Sequence, residues 1–298
     1  MTPQTQTALK PFPAASGLEN LLSSLGVDSQ TAFSYFNPSG NRGDGLIYLG
    51  TRQFFLKHGL AAHELPSVSA AGPGKIAVIG GSGAWFAPWC CGYMERYFTA
   101  LVKRFPTVVV LPSTYHAGCR KLVKILREAP PGVYFGCREE TSFQLMHRLV
   151  KNSEQIYCSR DMAFYFDYKP WQIPGEGVLY ALRGDEESSF SHKPAGNRDI
   201  SAEGMKRVRD PNQILAEVTA WLDAIAAYRE IRTDRAHVAV AAALCGKNVF
   251  FYGNSYHKNE SIYRTCLSQN PRVRWMGYVS PWKPFKNKIH SWLNSLLP

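Results

Sequence analysis

The 298-residue sequence lacks an apolar run long enough to cross a membrane. Its longest such run, Val238 to Cys245, is far shorter than the roughly 20 residues that a transmembrane helix needs. The first 17 residues carry Lys10 as their only charge and contain no apolar core, so they do not resemble a secretory signal. We therefore expect a cytoplasmic protein without a transmembrane segment.

The sequence also lacks cysteine pairs of the kind that hold metals. Its seven cysteines are an odd number, and none of them is spaced as Cys-x-x-Cys. The adjacent Cys90 and Cys91 are poorly placed for a disulfide or a zinc site. Scattered thiols of this kind are typical of a reducing cytoplasm. We expect buried free thiols, no metal site and no bound cofactor.

Acidic residues are scarce relative to basic ones. The chain has 23 Asp and Glu against 34 Lys and Arg, which gives a formal net charge of +11. Such an excess attracts polyanions, which include nucleic acid, anionic lipid and phosphorylated small substrates. The sequence contains no helix-turn-helix, zinc-finger or RNP motif, so nucleic acid ranks last among these partners.

What the chain does have is a regular alternation of short β-rich runs and helical patterns. Lys75 to Gly80 (KIAVIG) and Thr107 to Leu111 (TVVVL) have the composition of buried strands, and Tyr93 to Phe105 between them has a helical pattern. Strands that alternate with helices of about a dozen residues predict an α/β fold with parallel sheets and helices on both faces. The same pattern predicts a helix over Gly45 to Gly59.

A Pro-containing stretch from Lys169 to Gly177 (KPWQIPGEG) marks the candidate domain boundary. We expect an N-terminal domain over residues 1–168 and a C-terminal domain over 169–280. Residues 281–298 have apolar positions at helical spacing with lysines nearby, which predicts an amphipathic C-terminal helix. Two interpretations of that helix stay open: peripheral contact with an anionic membrane surface, or packing on the first domain.

Polar residues follow several of the predicted strands. Asn41 to Asp44 (NRGD) lies between a strand and a helix, where it could favour an anion or simply cap the helix. The glycines at 80, 81 and 83 do not form a dinucleotide fingerprint, because Phe86 stands where that motif has Gly or Ala. Ser113 follows the predicted strand 107–111, and Arg138 and Ser142 follow the next predicted strand, 133–136. An arginine at a strand end can bind a carboxylate or a phosphate.

The strongest local signal is Thr233-Asp234-Arg235-Ala236-His237 at the start of a small-residue helix. Arg235 and His237 are two positions apart at a helix N-terminus, so both can face an anion that the backbone amides hold. The next strand ends in a loop that contains Tyr256, His257 and Lys258. Packing alone does not easily explain this combination.

In their order along the chain, these motifs resemble the polysaccharide pyruvyl transferase family. The resemblance covers about residues 33–265. Two departures from the family pattern are Ala236, in place of leucine, and the loss of a glutamine before Ser113. The motifs that carry the resemblance are Asn41 to Asp44, Gly80 to Gly83, Leu111 to Ser113, Arg138 to Ser142, Asp234 to His237 and Tyr256 to Asn259.

The resemblance implies two Rossmann-like domains that face each other across a cleft, as in GT-B glycosyltransferases. It also implies a transferase that moves a pyruvyl group from phosphoenolpyruvate, as co-substrate, onto the hydroxyls of a sugar or lipid-linked oligosaccharide in exopolysaccharide biosynthesis. His237 is the candidate proton carrier, since histidine can give up a proton near neutral pH. Asp44 is the candidate residue for orienting or deprotonating an acceptor hydroxyl. The remaining candidates bind substrate: Asn41, Ser113, Arg138, Ser142, Arg235 and Lys258.

Two other functions stay open at this point. A GT-B-like glycosyltransferase that uses a nucleotide sugar would have a similar fold and cleft. It would also need a carboxylate for the donor ribose, whereas the C-terminal half offers Arg, His and Lys more readily. A non-catalytic homologue that binds a sugar or an anion is the other alternative, because Ala236 and a short second half depart from the family pattern.

Overall fold

A computed structural model describes residues 17–86, 93–118, 120–204 and 209–279. These residues form two β-sheets in which every strand pairing is parallel, so the parallel α/β class predicted from the sequence is confirmed. The first sheet has the strand order β2-β1-β3-β4-β5-β6. Its strands are β1 Phe33–Phe36, β2 Ala62–Glu64, β3 Ile76–Ile79, β4 Thr107–Ser113, β5 Val133–Cys137 and β6 Ile156–Cys158.

Helices cover both faces of this first sheet. Alternate residues of β4 show why: Val109 belongs to one apolar cluster with α1 and α2, whereas Val110 belongs to a second cluster with α3, α4 and α5. A strand that is buried on both sides is apolar throughout, as in TVVVL. The helices are α1 Gly17–Ser24, α2 Arg42–Lys57, α3 Glu95–Val102, α4 Arg120–Arg127 and α5 Glu140–Leu149.

The second sheet has the strand order β10-β9-β8-β7 and is smaller. A short 3₁₀ turn at Ser153–Gln155 precedes β6. Two more, at Met162–Tyr165 and Lys169–Trp171, follow β6 and lead to the second sheet. The strands are β7 Val178–Tyr180, β8 Glu230–Thr233, β9 Asn248–Phe251 and β10 Val273–Trp275. The helices are α6 Pro211–Ala226, α7 Ala236–Leu244 and α8 Lys258–Ile262, and a π-helical turn at Tyr263–Leu267 continues α8.

Helix α2 connects the two sheets. It packs against α6, and its first residue, Arg42, forms a salt bridge of 2.7 Å with Glu217 of α6. The apolar cluster that contains Leu46 of α2 continues through Val218 of α6 and Ala239 of α7 without interruption. This shared core fixes the N-terminus of α2 relative to the second sheet.

Most differences from the predicted elements are at their ends. Helix α2 begins at Arg42 instead of Gly45, because Asn41 provides an N-terminal cap that the periodicity alone does not reveal. The edge strands β2 and β10 were not predicted, since their sequences, AHE and VRW, lack the apolar run that marks a buried strand.

The predicted domain boundary after residue 168 lies between β6 and β7, and so between the two sheets. The division into separate domains stays a prediction, because one apolar cluster includes residues of both parts. The predicted C-terminal helix over 281–298 lies outside the described residues. In the part of the chain that is described, no helix has the length and apolar character needed to cross a membrane.

Candidate active site

A cavity of about 590 Å³ opens where strands of both sheets end. Asp44, Gly83 and Arg138 line it from loops and helices that follow strands of the first sheet, and Arg235 and His237 line it from the second. Parallel sheets bind ligands at the carboxyl ends of their strands, because loops and helix N-termini meet there. The cavity therefore brings together residues that are far apart in the sequence, from Pro38 to Lys258.

Arg138 is held on one side of this cavity by a buried ion pair. It is 1% exposed, and its Nη1 donates to Asp161 Oδ2 at 2.6 Å. Its Nε donates to Thr114 Oγ1 at 2.9 Å, so two of its nitrogens are fixed by the protein. The third, Nη2, has no hydrogen bond to the described residues and lies beside Gly83, where an added Cβ would be 3.2 Å away. Glycine at 83 therefore leaves the space beside this nitrogen free of a side chain.

His237 is bound to the same carboxylate. Its Nε2 lies 3.2 Å from Asp161 Oδ2 and 3.4 Å from Arg138 Nη1. The imidazole lines the cavity and its side chain is 14% exposed. Asp161 thus holds Arg138, from the first half of the chain, and His237, from the second half.

The surroundings of Asp161 keep it ionised. Burial alone would raise the pKa of this carboxyl, but the neighbouring Arg138 and His237 outweigh burial and hold the pKa well below its usual value. A carboxylate that stays charged orients the imidazole and balances the buried guanidinium. Asp161 is therefore a positioning residue for the two side chains that face the cavity.

The N-terminus of α2 forms another part of the lining. Asn41 Oδ1 accepts a hydrogen bond from the Gly43 amide at 2.8 Å, and Asp44 Oδ2 accepts one from the Asn41 amide at 2.9 Å. This reciprocal pair is a capping box. Both residues line the cavity as well, so Asn41 and Asp44 contribute to the helix cap and to the site. Burial raises the pKa of Asp44, although His237 and other nearby cations oppose this effect.

Gly43, in the first turn of α2, faces His237 directly. A Cβ at this position would stand 3.0 Å from His237 Cβ and Nδ1 and 3.1 Å from Asn41 Oδ1. Gly43→Ala is expected to displace the imidazole by a few tenths of an ångström and to lower turnover about ten-fold. Alanine favours a helix over glycine by about 1 kcal/mol, so the melting temperature should not fall.

Steady-state kinetics and differential scanning fluorimetry would check the Gly43→Ala expectation. Leu56→Ala, at an 81% exposed position of the same helix, is the control and should leave turnover unchanged. Unaltered turnover in Gly43→Ala would show that the contact between α2 and His237 does not matter for activity.

A second group of charges lines the cavity from the smaller sheet. Arg183 follows β7 and donates from Nε and Nη2 to Asp185 and from Nη1 to Glu187 Oε2, the last at 2.8 Å. Lys258 Nζ donates to the same Glu187 oxygen at 2.6 Å. Burial alone would raise the pKa of Glu187, yet Lys258 and Arg183 lower it to about 2. Burial lowers the pKa of Lys258 to about 8 against the opposing effect of Glu187.

Arg235 also has acidic partners. Its Nε and Nη2 bind the two oxygens of Asp199 at 2.7 and 2.5 Å, and Nη2 lies 3.1 Å from Asp185. Nη1 has no hydrogen bond to the described residues. Although the chain carries +11 overall, the cations of this cavity are therefore balanced by carboxylates nearby. The net charge of the chain does not reveal this local balance.

The N-terminus of α7 differs from that of α2. Arg235 is the N-cap residue of α7, and its side chain makes no capping hydrogen bond to the helix. The first two helical residues, Ala236 and His237, line the cavity. The first amides of a helix have no partner within it and attract anions. An anionic group in the cavity can therefore bind at the start of α7.

Two residues that were predicted to contact substrate, Ser113 and Ser142, lie outside the cavity lining. Ser113 Oγ donates to Leu111 O at 2.8 Å and accepts from the Ser82 amide at 3.0 Å. Ser142 Oγ donates to Glu139 and accepts from the Tyr115 amide at 2.8 Å. Neither serine lines the cavity, and both are fully buried. Both hydroxyls hold strand-end loops in place, and their contact with substrate stays a prediction.

Several residues of the site were not singled out from the sequence. Asp161 follows β6, so the same strand-end rule that points to Arg138 could have identified it. The others, Asp185, Glu187 and Asp199, lie in a long polar segment without periodicity, where no local signal marks them. Within the described residues, no three His, Cys, Asp or Glu side chains are grouped as a metal site would require.

Comparison with known proteins identifies the family of the chain. A sequence profile of the polysaccharide pyruvyl transferases matches residues 41–256, which run from the cap of α2 to the loop after β9. The chain belongs to the polysaccharide pyruvyl transferase family. The resemblance deduced from the order of the strand-end motifs is thereby confirmed, and the matched range contains every cavity residue named above except Lys258.

Two relatives of this transferase extend the comparison. One is a protein of Bacillus subtilis (strain 168) named "Putative pyruvyl transferase EpsO", which is 23% identical over 305 aligned positions that cover 88% of this chain and 93% of that protein. The other is a crystal structure of the functionally uncharacterized protein KP1_0663 from Klebsiella pneumoniae subsp. pneumoniae NTUH-K2044. It is 24% identical, with a TM-score of 0.73, and covers 87% of this chain and 97% of that one. The structural similarity supports the fold alone.

Proposed function

We propose that this transferase moves the pyruvyl group of phosphoenolpyruvate onto two hydroxyls of one sugar, forming a pyruvate ketal and releasing phosphate. One observation carries the proposal: Arg138 and His237 bind the same oxygen of Asp161 in a cavity that also contains the uncapped start of α7. The donor carries a phosphate and a carboxylate, and this cavity offers separate groups for both.

The donor phosphate would bind at the start of α7, where helix amides, Arg235 Nη1 and Lys258 Nζ can donate to it. Its carboxylate would bind the free Nη2 of Arg138 beside Gly83. Because Asp199 and Glu187 already pair with Arg235 and Lys258, the donor must share these cations with the carboxylates. Other anions should bind only weakly, because they too must compete with these carboxylates for Arg235 and Lys258.

The proposed reaction begins with transfer of a proton from His237 to the methylene carbon of phosphoenolpyruvate. The positive charge then develops on the adjacent carbon, which one sugar hydroxyl attacks. The carbon–oxygen bond to phosphate breaks, and the second hydroxyl closes the ketal at the same carbon. Of the two hydroxyl protons, one restores His237 and one leaves with phosphate. Asp44, whose pKa is raised by burial, would take up the second hydroxyl proton and pass it to the departing phosphate.

We suggest that the two sheets are Rossmann-like units facing across a GT-B-like cleft, since the cavity is lined by residues that follow strands of both sheets. A sugar or lipid-linked oligosaccharide on the cytoplasmic side of the membrane would serve as acceptor in exopolysaccharide biosynthesis. The family to which the chain belongs supports a polysaccharide pathway.

Incubation with phosphoenolpyruvate and a panel of sugars tests the function. Phosphate release should depend on the sugar, and proton NMR of the product should show a new methyl group, because the methylene of the donor becomes a methyl in the ketal. Calorimetric titration with nucleotide sugars is the control and should show no binding. Tight binding of a nucleotide sugar without sugar-dependent phosphate release would contradict pyruvyl transfer and favour glycosyl transfer.

A further inference from the structure

One part of the cavity lining takes no part in the proposed chemistry. It consists of Tyr93, Tyr97, Ser201 and the segment 38–39, none of which carries a charge of its own. The donor-binding residues are all cationic, so this uncharged part is unsuited to phosphoenolpyruvate. It offers aromatic faces and a hydroxyl instead.

The two tyrosines form a supported aromatic wall. They are four residues apart on consecutive turns, and their ring centroids are 5.6 Å apart at 65°. Tyr97 packs edge-on against Phe36 at 4.8 Å, and Arg209 donates to its hydroxyl at 3.3 Å. Both tyrosines are only partly buried, so each leaves ring surface in the cavity. A fixed aromatic ring binds the apolar face of a ligand at little entropic cost.

Ser201 contributes a hydroxyl without a partner. The residue is 1% exposed, and its Oγ makes no hydrogen bond within the described residues. Its backbone is held in place, because its carbonyl accepts from the Arg42 amide at 3.3 Å and Arg42 is itself bound to Glu217. A buried hydroxyl without a partner is costly, and a ligand hydroxyl in the cavity would satisfy it.

We propose that Tyr93, Tyr97 and Ser201 form the acceptor subsite and bind the ring of an uncharged pyranoside. The C–H face of the sugar packs on the tyrosine rings, and one ring hydroxyl bonds to Ser201 Oγ. This subsite deepens the proposed function and rests on it, since the sugar bound here is the one that receives the pyruvyl group. Aromatic faces and a hydroxyl suit a neutral acceptor, whereas the phosphorylated donor binds in the cationic part of the cavity.

Binding measurements on the intact chain test the subsite without requiring turnover. Methyl galactoside, glucoside and mannoside serve as probes in saturation-transfer NMR and calorimetry, and phosphoenolpyruvate is titrated separately. Tyr97→Ala should weaken binding of the preferred pyranoside about ten-fold or more, whereas Tyr97→Phe, which keeps the ring, should change it by less than about three-fold. Affinity for phosphoenolpyruvate should stay within about two-fold of wild type in both variants.

Ser201→Ala separates a ligand contact from a structural role. The variant should bind the pyranoside about five-fold more weakly, yet its melting temperature should not fall, because the lost hydroxyl has no partner in the protein. A clear drop in melting temperature with unchanged pyranoside affinity would overturn the assignment.

The outcomes distinguish this proposal from the proposed function. Wild-type protein that binds pyranosides through Tyr97 and Ser201, but neither binds nor consumes phosphoenolpyruvate, would contradict pyruvyl transfer and leave the sugar subsite in place. Active protein whose pyranoside affinity is unchanged in Tyr97→Ala and Ser201→Ala would overturn the subsite alone. Failure of every neutral pyranoside to bind the wild type would also overturn it.

Discussion

His237→Gln is expected to lower turnover by about 10²–10⁴-fold while leaving the fold intact. Glutamine can keep a hydrogen bond to Asp161, the partner of His237 Nε2 at 3.2 Å, so the Arg138–Asp161 pair should survive the substitution. An amide cannot deliver a proton at neutral pH, so the step that activates the donor would be lost. The loss should appear in kcat, with the affinity for phosphoenolpyruvate changed much less.

Sugar-dependent phosphate release, calorimetric binding of phosphoenolpyruvate and the melting temperature together check this expectation. His63→Gln is the matched control, because His63 is an exposed histidine of β2 outside the cavity lining. Partial recovery of turnover in His237→Ala on addition of imidazole would show that the missing function is proton transfer. Turnover of His237→Gln within about ten-fold of wild type would exclude His237 as the proton carrier.

The arrangement of the main site residues was largely predictable from the sequence. Parallel strands bring their carboxyl ends to one edge, so residues that follow successive strands meet there whatever their separation along the chain. This rule predicted a ligand-binding position for Arg138 after one strand and for Arg235 and His237 after another, and the family resemblance predicted that both groups face one cleft. The structure brings all three residues into one cavity. The helix boundaries were less accurate, as at Asn41, where the cap starts α2 three residues before the apolar pattern does.

The partners of these residues were not predictable, because they depend on tertiary contacts. Ser113 ends β4 and Arg138 follows β5, yet Ser113 bonds to neighbouring backbone, whereas Arg138 lines the cavity. Asp199 meets Arg235 because a loop without periodicity bonds to the end of β7, where the Arg198 amide donates to the Tyr180 carbonyl. Composition shows an excess of basic residues but not that the cations of the site are paired with carboxylates.

Asp161→Asn is expected to destabilise the protein by about 3–5 kcal/mol, because it leaves the guanidinium of Arg138 buried without a counter-charge. Arg138 is 1% exposed and Asp161 is 4% exposed, so solvent cannot replace the lost partner. For a chain of this size, the melting temperature should fall by roughly 6–20 °C. Turnover should fall as well, since Asp161 positions both Arg138 and His237.

The effect of Asp161→Asn should depend on pH with a definite sign. The pKa of Asp161 is lowered in the folded protein, because Arg138 and His237 outweigh the burial that would raise it. The ionised form therefore contributes stability above its unfolded pKa of about 3.9, and this contribution is lost as the pH falls through the lower folded value. The difference between wild type and variant in urea unfolding should narrow below about pH 4.

The double variant Arg138→Met with Asp161→Asn separates the ion pair from the activity. Methionine removes the uncompensated charge and fills much of the same volume, so the double variant should be more stable than Asp161→Asn alone. It should nevertheless remain inactive, because the proposed contact to the donor carboxylate is gone. If Asp161→Asn alone unfolds within about 1 kcal/mol of wild type, the buried pair does not organise this site, and the proposed positioning of His237 by Asp161 is wrong.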